Sequence, residues 1–156
     1  MLAACQEAQT LEFSTGEVQL SAEGPLFEGS NTVTGEYASQ LESFLGAKGF
    51  QLSQLREARL SAASIALPAG DSSARVSQMT FSLVADAVEM QELGVLNPVP
   101  EGSGPFALNL AQEQKGVADF LRQPRMTFIL DATLPQDRDS SLALTGNFTF
   151  SLTLNP

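Results

Sequence analysis

Any chemistry in this chain must come from a short set of side chains. It has no histidine, and Cys5 is its single cysteine. A Ser-His-Asp or Cys-His arrangement therefore cannot form within it, and structural zinc lacks its usual ligands. What remains is carboxylate chemistry, as in glycoside hydrolysis, or a serine paired with Lys48 or Lys115. Carboxylate acid–base work needs two carboxyls opposed across a cleft, one with a raised pKa. Here the acids are scattered, from Glu7 through Glu42, Glu89 and Glu92 to Asp131, Asp137 and Asp139, mostly at polar strand positions or in turns. No catalytic set is read from them, and the chain is expected not to be an enzyme. The two lysines fall at the ends of expected helices, where interaction with the helix dipole accounts for them. No phosphate-binding loop or dinucleotide glycine pattern occurs, so no cofactor is expected.

One spacing suggests a metal. In Asp137-Arg-Asp139-Ser-Ser141, oxygen ligands alternate through a loop, as at the early positions of calcium loops. Asp137 and Asp139 are the candidate Ca²⁺ ligands, with Asp71 as a distant addition. The glycine turn and bidentate glutamate of the known loop are missing, so a solvated turn is the preferred reading.

The most informative residues lie at the amino end. Leu2-Ala3-Ala4-Cys5 is an aliphatic residue and two small ones before a cysteine. It resembles the lipobox of bacterial lipoproteins. The resemblance implies that a signal peptidase cuts before Cys5, that the thiol carries a diacylglyceryl thioether, and that the freed amine is acylated too. More than one acyl chain on a residue meets the requirement for stable anchoring. Only Met1 precedes the box, and the charged and apolar stretches of an export signal are expected upstream of it. Gln6 follows the cysteine where an aspartate often marks inner-membrane retention, so the resemblance implies an outer-membrane lipoprotein facing the periplasm or the exterior. Gln6 to Thr10 is then a short polar tether.

Composition limits the rest. With 156 residues, 43% of them hydrophobic and 17% charged, the chain can bury one core and is not disordered. No apolar run approaches the ~20 residues of a membrane-spanning helix. A net charge of −10 repels phosphate backbones, so no nucleic-acid partner is expected, and it argues against docking on anionic lipid through a basic patch.

The elements that must position any site are mainly strands. From Leu142 to Leu154, Leu142, Leu144, Phe148, Phe150, Leu152 and Leu154 alternate with polar or small residues, with Gly146 in phase. That period of two predicts a long antiparallel strand, buried on one face. Met126 to Leu134 alternates likewise, and the polar turn from Pro135 to Ser141 predicts that the two form a terminal β-hairpin. Ser77 to Ala85 alternates through Met79, Phe81 and Leu83. Between Leu55 and Leu67 the phase slips, from Ala58, Leu60 and Ala62 to Ala63, Ile65 and Leu67, which predicts a bulge. Phe106, Leu108 and Leu110 mark a short strand, and Leu11, Phe13, Val18 and Leu20 one or two more. Helical spacing predicts helices over Tyr37–Leu45 and Gln114–Leu121.

About seven strands and one or two short helices predict an all-β fold. The expected form is an antiparallel, Ig-like β-sandwich spanning residues 11–156 as one domain, with a partly open barrel as alternative. The order of elements resembles a broad group of small, largely uncharacterised β-sandwich lipoproteins of bacterial envelopes. That resemblance implies a non-enzymatic, lipid-anchored module that binds a protein partner or joins an envelope assembly. Two other readings stand beside it: a carrier of a small hydrophobic ligand between the sheets, using Phe81, Phe128, Phe148 and Phe150, and a carboxylate-based carbohydrate-active module. Asn147-Phe148-Thr149 matches a glycosylation sequon but reads as ordinary strand alternation. The proline-rich stretch from Asn97 to Pro105 reads as a long connection that could present a recognition surface.

Overall fold

A computed structural model describes residues 7–70 and 75–156. Cys5 and Asp71 lie outside the described residues. Among the described residues nine strands form: β1 (Gln9–Ala22), β2 (Gly29–Ala38), β3 (Leu55–Ala66), β4 (Gln78–Ala85), β5 (Val88–Leu96), β6 (Phe106–Ala107), β7 (Asn109–Leu110), β8 (Arg125–Leu134) and β9 (Leu142–Leu154). The helices are α1 (Leu41–Ala47) and α2 (Val117–Leu121), and a 3-10 turn spans Leu52–Gln54. The fold is all-β, as the patterning predicts; β2 and β5 are long strands that it did not mark, and the strand expected over Phe106, Leu108 and Leu110 is the two short pieces β6 and β7. β1 includes Gln9 and Thr10, residues expected in the tether.

The strands make one antiparallel sheet in the order β6-β3-β9-β1-β2-β8-β4-β5-β7. Its two ends nearly meet. Phe106 and Ala107 pair with β3, whereas Asn109 and Leu110, two residues on, pair with β5. Between them the Leu108 amide donates to the Ala63 carbonyl at 2.9 Å. One short segment thus bridges both edges, which removes most of the exposed ladder. β1 and β2 meet at a single pair, Ser21 with Thr34. Gly35 makes that crossing possible, because a Cβ there would collide with the Gln19 carbonyl. The sheet is therefore pinched into two layers, β3-β9-β1 against β2-β8-β4-β5, two layers of one nearly closed sheet.

The layers are held by aromatic packing across the middle. Phe148 of β9 lies 4.6 Å from Phe81 of β4 and 4.5 Å from Phe128 of β8, centroid to centroid. All three rings are fully buried, and burying each is worth roughly 1.5–3 kcal/mol. β8 and β9 bury the residues that their alternation marks, but they do not form a hairpin. β8 pairs with β2 and β4, and β9 with β1 and β3. Alternation tells which face is buried and not which edge is paired. These two strands meet face to face through Phe128 and Phe148, and residues 135–141 cross from one layer to the other. That crossing is fastened by the Leu26–Arg138 bridge, with both backbone hydrogen bonds made.

The predicted slip in β3 is present as a register shift between Leu60 and Ala62. Both helices are shorter than helical spacing suggests. Tyr37 belongs to β2, where it stacks on Phe128 at 5.7 Å, and α1 begins at Leu41. Gln114 precedes α2, whose N-cap Gly116 is left-handed at φ 70°. The helices lie at the end of the barrel where β1 starts and β9 stops. There α1 buries Leu41 and Leu45 and sets Phe44 5.1 Å from Phe13, while α2 buries Phe120 and Leu121.

Candidate ligand-binding groove

The edge of β3 that faces away from β9 carries the most elaborate polar arrangement on the molecule. From Leu55 to Leu60 side chains, rather than a strand, serve this edge. Gln114 accepts from the Leu60 amide at 2.8 Å through Oε1 and donates from Nε2 to the Leu60 carbonyl at 3.0 Å. Its Nε2 also reaches the Ala111 carbonyl. One primary amide thus imitates a neighbouring strand for a single residue. Arg122, just past α2, donates to the Leu55 carbonyl at 2.6 Å and to Asp119 Oδ1 at 2.9 Å. Arg59 donates to the carbonyls of Gln112 and Ala111, which pins the segment before α2 against the strand.

Between these two fastenings, one residue that keeps register with β9 turns its backbone outward. In an antiparallel ladder, the N–H and C=O of residues two apart point to the same side. Leu60 opposes Phe150 and Ala58 opposes Leu152 on β9. Because the Leu60 groups point outward to Gln114, those of Ala58 also point away from β9. They open into a hollow of about 530 Å³ bounded by Arg56, Glu57, Arg59, Gln114, Asp119 and Arg122, with Ser151 and Thr153 beside them. Three of the chain's eight basic residues border this one groove. Arg122 is paired with Asp119, but no carboxylate among the described residues forms an ion pair with Arg56 or Arg59. The groove can therefore offer a backbone donor and acceptor beside two uncompensated guanidinium groups, a combination suited to a carboxylate next to a peptide unit.

The other sequence candidates lie elsewhere. Asp137 Oδ1 accepts from the Glu28 amide at 2.8 Å, so one oxygen of the calcium candidate serves the connection between β1 and β2. Asp139 is on the same crossing loop, where its carbonyl stands against Gly24. Arg138 between them is buried and donates twice to the Ser141 carbonyl. No group of three or more acidic or cysteine side chains among the described residues converges on a metal site. Lys48 sits at the C-cap of α1, 5.9 Å from the Phe44 ring. Lys115, by contrast, precedes the N-cap of α2, where the helix dipole disfavours a cation. Asn147 points outward on β9 and accepts from Ser14 Oγ at 3.3 Å.

A second hollow of about 540 Å³ lies at the opposite end of the barrel, among Leu67, Val76, Val99 and the Pro100–Ser103 turn. Arg75 and Glu101 pair across it at 3.5 Å, both well exposed. Both hollows are open at the surface. The space between the layers is instead occupied by Phe81, Phe128, Phe148 and Phe150, each fully buried. The large exposed apolar side chains, Phe27, Met90 and Val95, are divided between the β1–β2 connection and β5.

Sequence reasoning missed the groove. Its residues are spread from Arg56 to Thr153 and share no motif; the available signal was the concentration of arginine at positions 56, 59, 122 and 125 in an acidic chain. No protein-family model matches the chain, and no curated protein matches it.

Proposed function

We propose that this protein is a non-enzymatic binding module of the bacterial envelope, held to a membrane by lipid on Cys5 and contacting a protein partner through its outer surface. The observation that carries the binding half is the groove on β3, where Ala58, its N–H and C=O directed away from β9, lines a hollow together with Arg56 and Arg59. A packed aromatic interior favours a surface role over carriage of a hydrophobic ligand, since carriers need an open, largely apolar cavity. The anchor half rests on the resemblance of Leu2-Ala3-Ala4-Cys5 to a lipobox. The first strand begins at Gln9, four residues after Cys5. Four residues reach at most roughly 14 Å. A lipid on Cys5 would therefore hold the α1–α2 end of the barrel close to the bilayer, with the groove beside it. Gln6 in place of aspartate supports the outer membrane as the location proposed.

The anchor is tested with the full-length gene product in its own cell, fed an alkyne-bearing fatty acid. The label is expected on the protein and in the membrane fraction, and Cys5→Ser should abolish both. Unchanged labelling and fractionation in Cys5→Ser would overturn the anchor.

A further inference from the structure

We infer that the β3 groove receives the carboxy-terminal end of an extended peptide, whose last peptide unit pairs with Ala58 and whose carboxylate is held by Arg56 and Arg59. The inference deepens the protein-partner reading above and rests on it.

The argument begins with how much ladder is free. Gln114 occupies the Leu60 rung, and Arg122 occupies the Leu55 carbonyl. Of the residues between them that keep register with β9, Ala58 alone turns its N–H and C=O outward, so this stretch offers one rung of β-pairing. A strand running through it would have to displace Gln114 or Arg122, and would leave buried backbone groups in exchange for those it satisfied. A chain end needs no such displacement, because it stops after one rung. Its terminal carboxylate then falls beside the strand edge, where Arg56 and Arg59 stand. Arg59 is already oriented by its bonds to the Gln112 and Ala111 carbonyls. It therefore gives up little side-chain freedom on binding, which favours affinity.

The acidic groups present define the ligand further. Glu57 and Asp119 border the same hollow. They disfavour a ligand with several negative charges, as a polyacidic segment or a polyphosphate would carry. One carboxylate attached to a neutral peptide unit suits two guanidinium groups flanked by two acids. Ser151 and Thr153 on β9 can hydrogen-bond a polar penultimate side chain lying over the groove floor. Capture of a terminal carboxylate combined with β-pairing is a known mode of peptide recognition.

The test uses the purified chain and a resin-bound library of random heptapeptides with free carboxy termini, beside the same library amidated. Sequences enriched from the free library are resynthesised in both forms and titrated by fluorescence anisotropy. The free form is expected to bind about tenfold or more tighter than its amide, the scale of one charge-assisted hydrogen bond. Arg56→Gln, at an exposed side chain with no hydrogen bond or ion pair of its own, should remove most of that difference. Hydrogen exchange at the Ala58 amide should slow on binding, while that at Leu60 stays as it was. Equal binding of acid and amide, no enrichment from either library, or an Ala58 amide unmoved by a bound peptide would each overturn the inference. The chain is in solution throughout, so the result is independent of Cys5. A partner captured in cells by a surface away from β3 would leave the broader binding role standing and reject the groove.

Discussion

At the scale of single residues, Tyr37 stands out among the described residues as a polar side chain with a buried atom that lacks a hydrogen-bond partner. Its ring completes the aromatic stack on Phe128, but its hydroxyl is buried and makes no well-formed hydrogen bond. Desolvation raises its pKa above the ordinary value, and the nearby Gln40 backbone offsets part of that. The folded state thus prefers the neutral phenol more than the unfolded chain does. This contribution is complete below the ordinary tyrosine pKa of about 10 and is lost as pH rises through the folded-state value. Tyr37→Phe removes the orphaned hydroxyl and keeps the ring. It should raise stability by roughly 1 kcal/mol, within the usual cost of an unmade buried hydrogen bond. Denaturant melts should also show less loss of stability above pH 10 in Tyr37→Phe than in the parent. A lower midpoint for the variant would mean that the hydroxyl has a partner.

At the scale of elements, β3 shows what a single side chain can do for a strand edge. Gln114→Ala deprives the Leu60 amide and carbonyl of their partners at once. The variant should lose about 1–2 kcal/mol and exchange its Leu60 amide faster. Gln112→Ala, whose role is through its backbone carbonyl, should change neither.

The elements also show what patterning conveys and what it omits. β9 is legible to the residue because thirteen residues keep one phase with no interruption. The bulge in β3 is legible because a phase slip has few other causes. Tyr37 is ambiguous, since it continues the β2 alternation of Val33 and Gly35 while also standing four residues before Leu41. The strand prevails because Tyr37 pairs with Met126 on β8. β5 gives little signal, because Leu93 and Gly94 are buried side by side and its register shifts twice against β4. Neighbour relations were out of reach. Nothing in the alternation of β8 and β9 reveals that each takes other partners, and nothing near Gln114 reveals that its amide serves a strand more than fifty residues earlier.

At the scale of the whole molecule, the barrel has a filled interior, which supports the proposal that it acts through its outside. Its acids are scattered along the chain, and three of its eight basic residues come together. Arg56, Arg59 and Arg122 border the groove, at the end that the proposed anchor would bring toward the membrane. Location and recognition are therefore assigned to the same end of the fold. The most direct measurement places a photo-crosslinking residue in the full-length protein in its own cell. One variant carries it at Glu57 in the groove, another at Asp131 on the opposite layer. A discrete adduct is expected from position 57, lost when Arg56→Gln is added, and none from position 131. Adducts from position 131 alone, or equal adducts from both positions that persist in Arg56→Gln, would contradict recognition through the β3 groove.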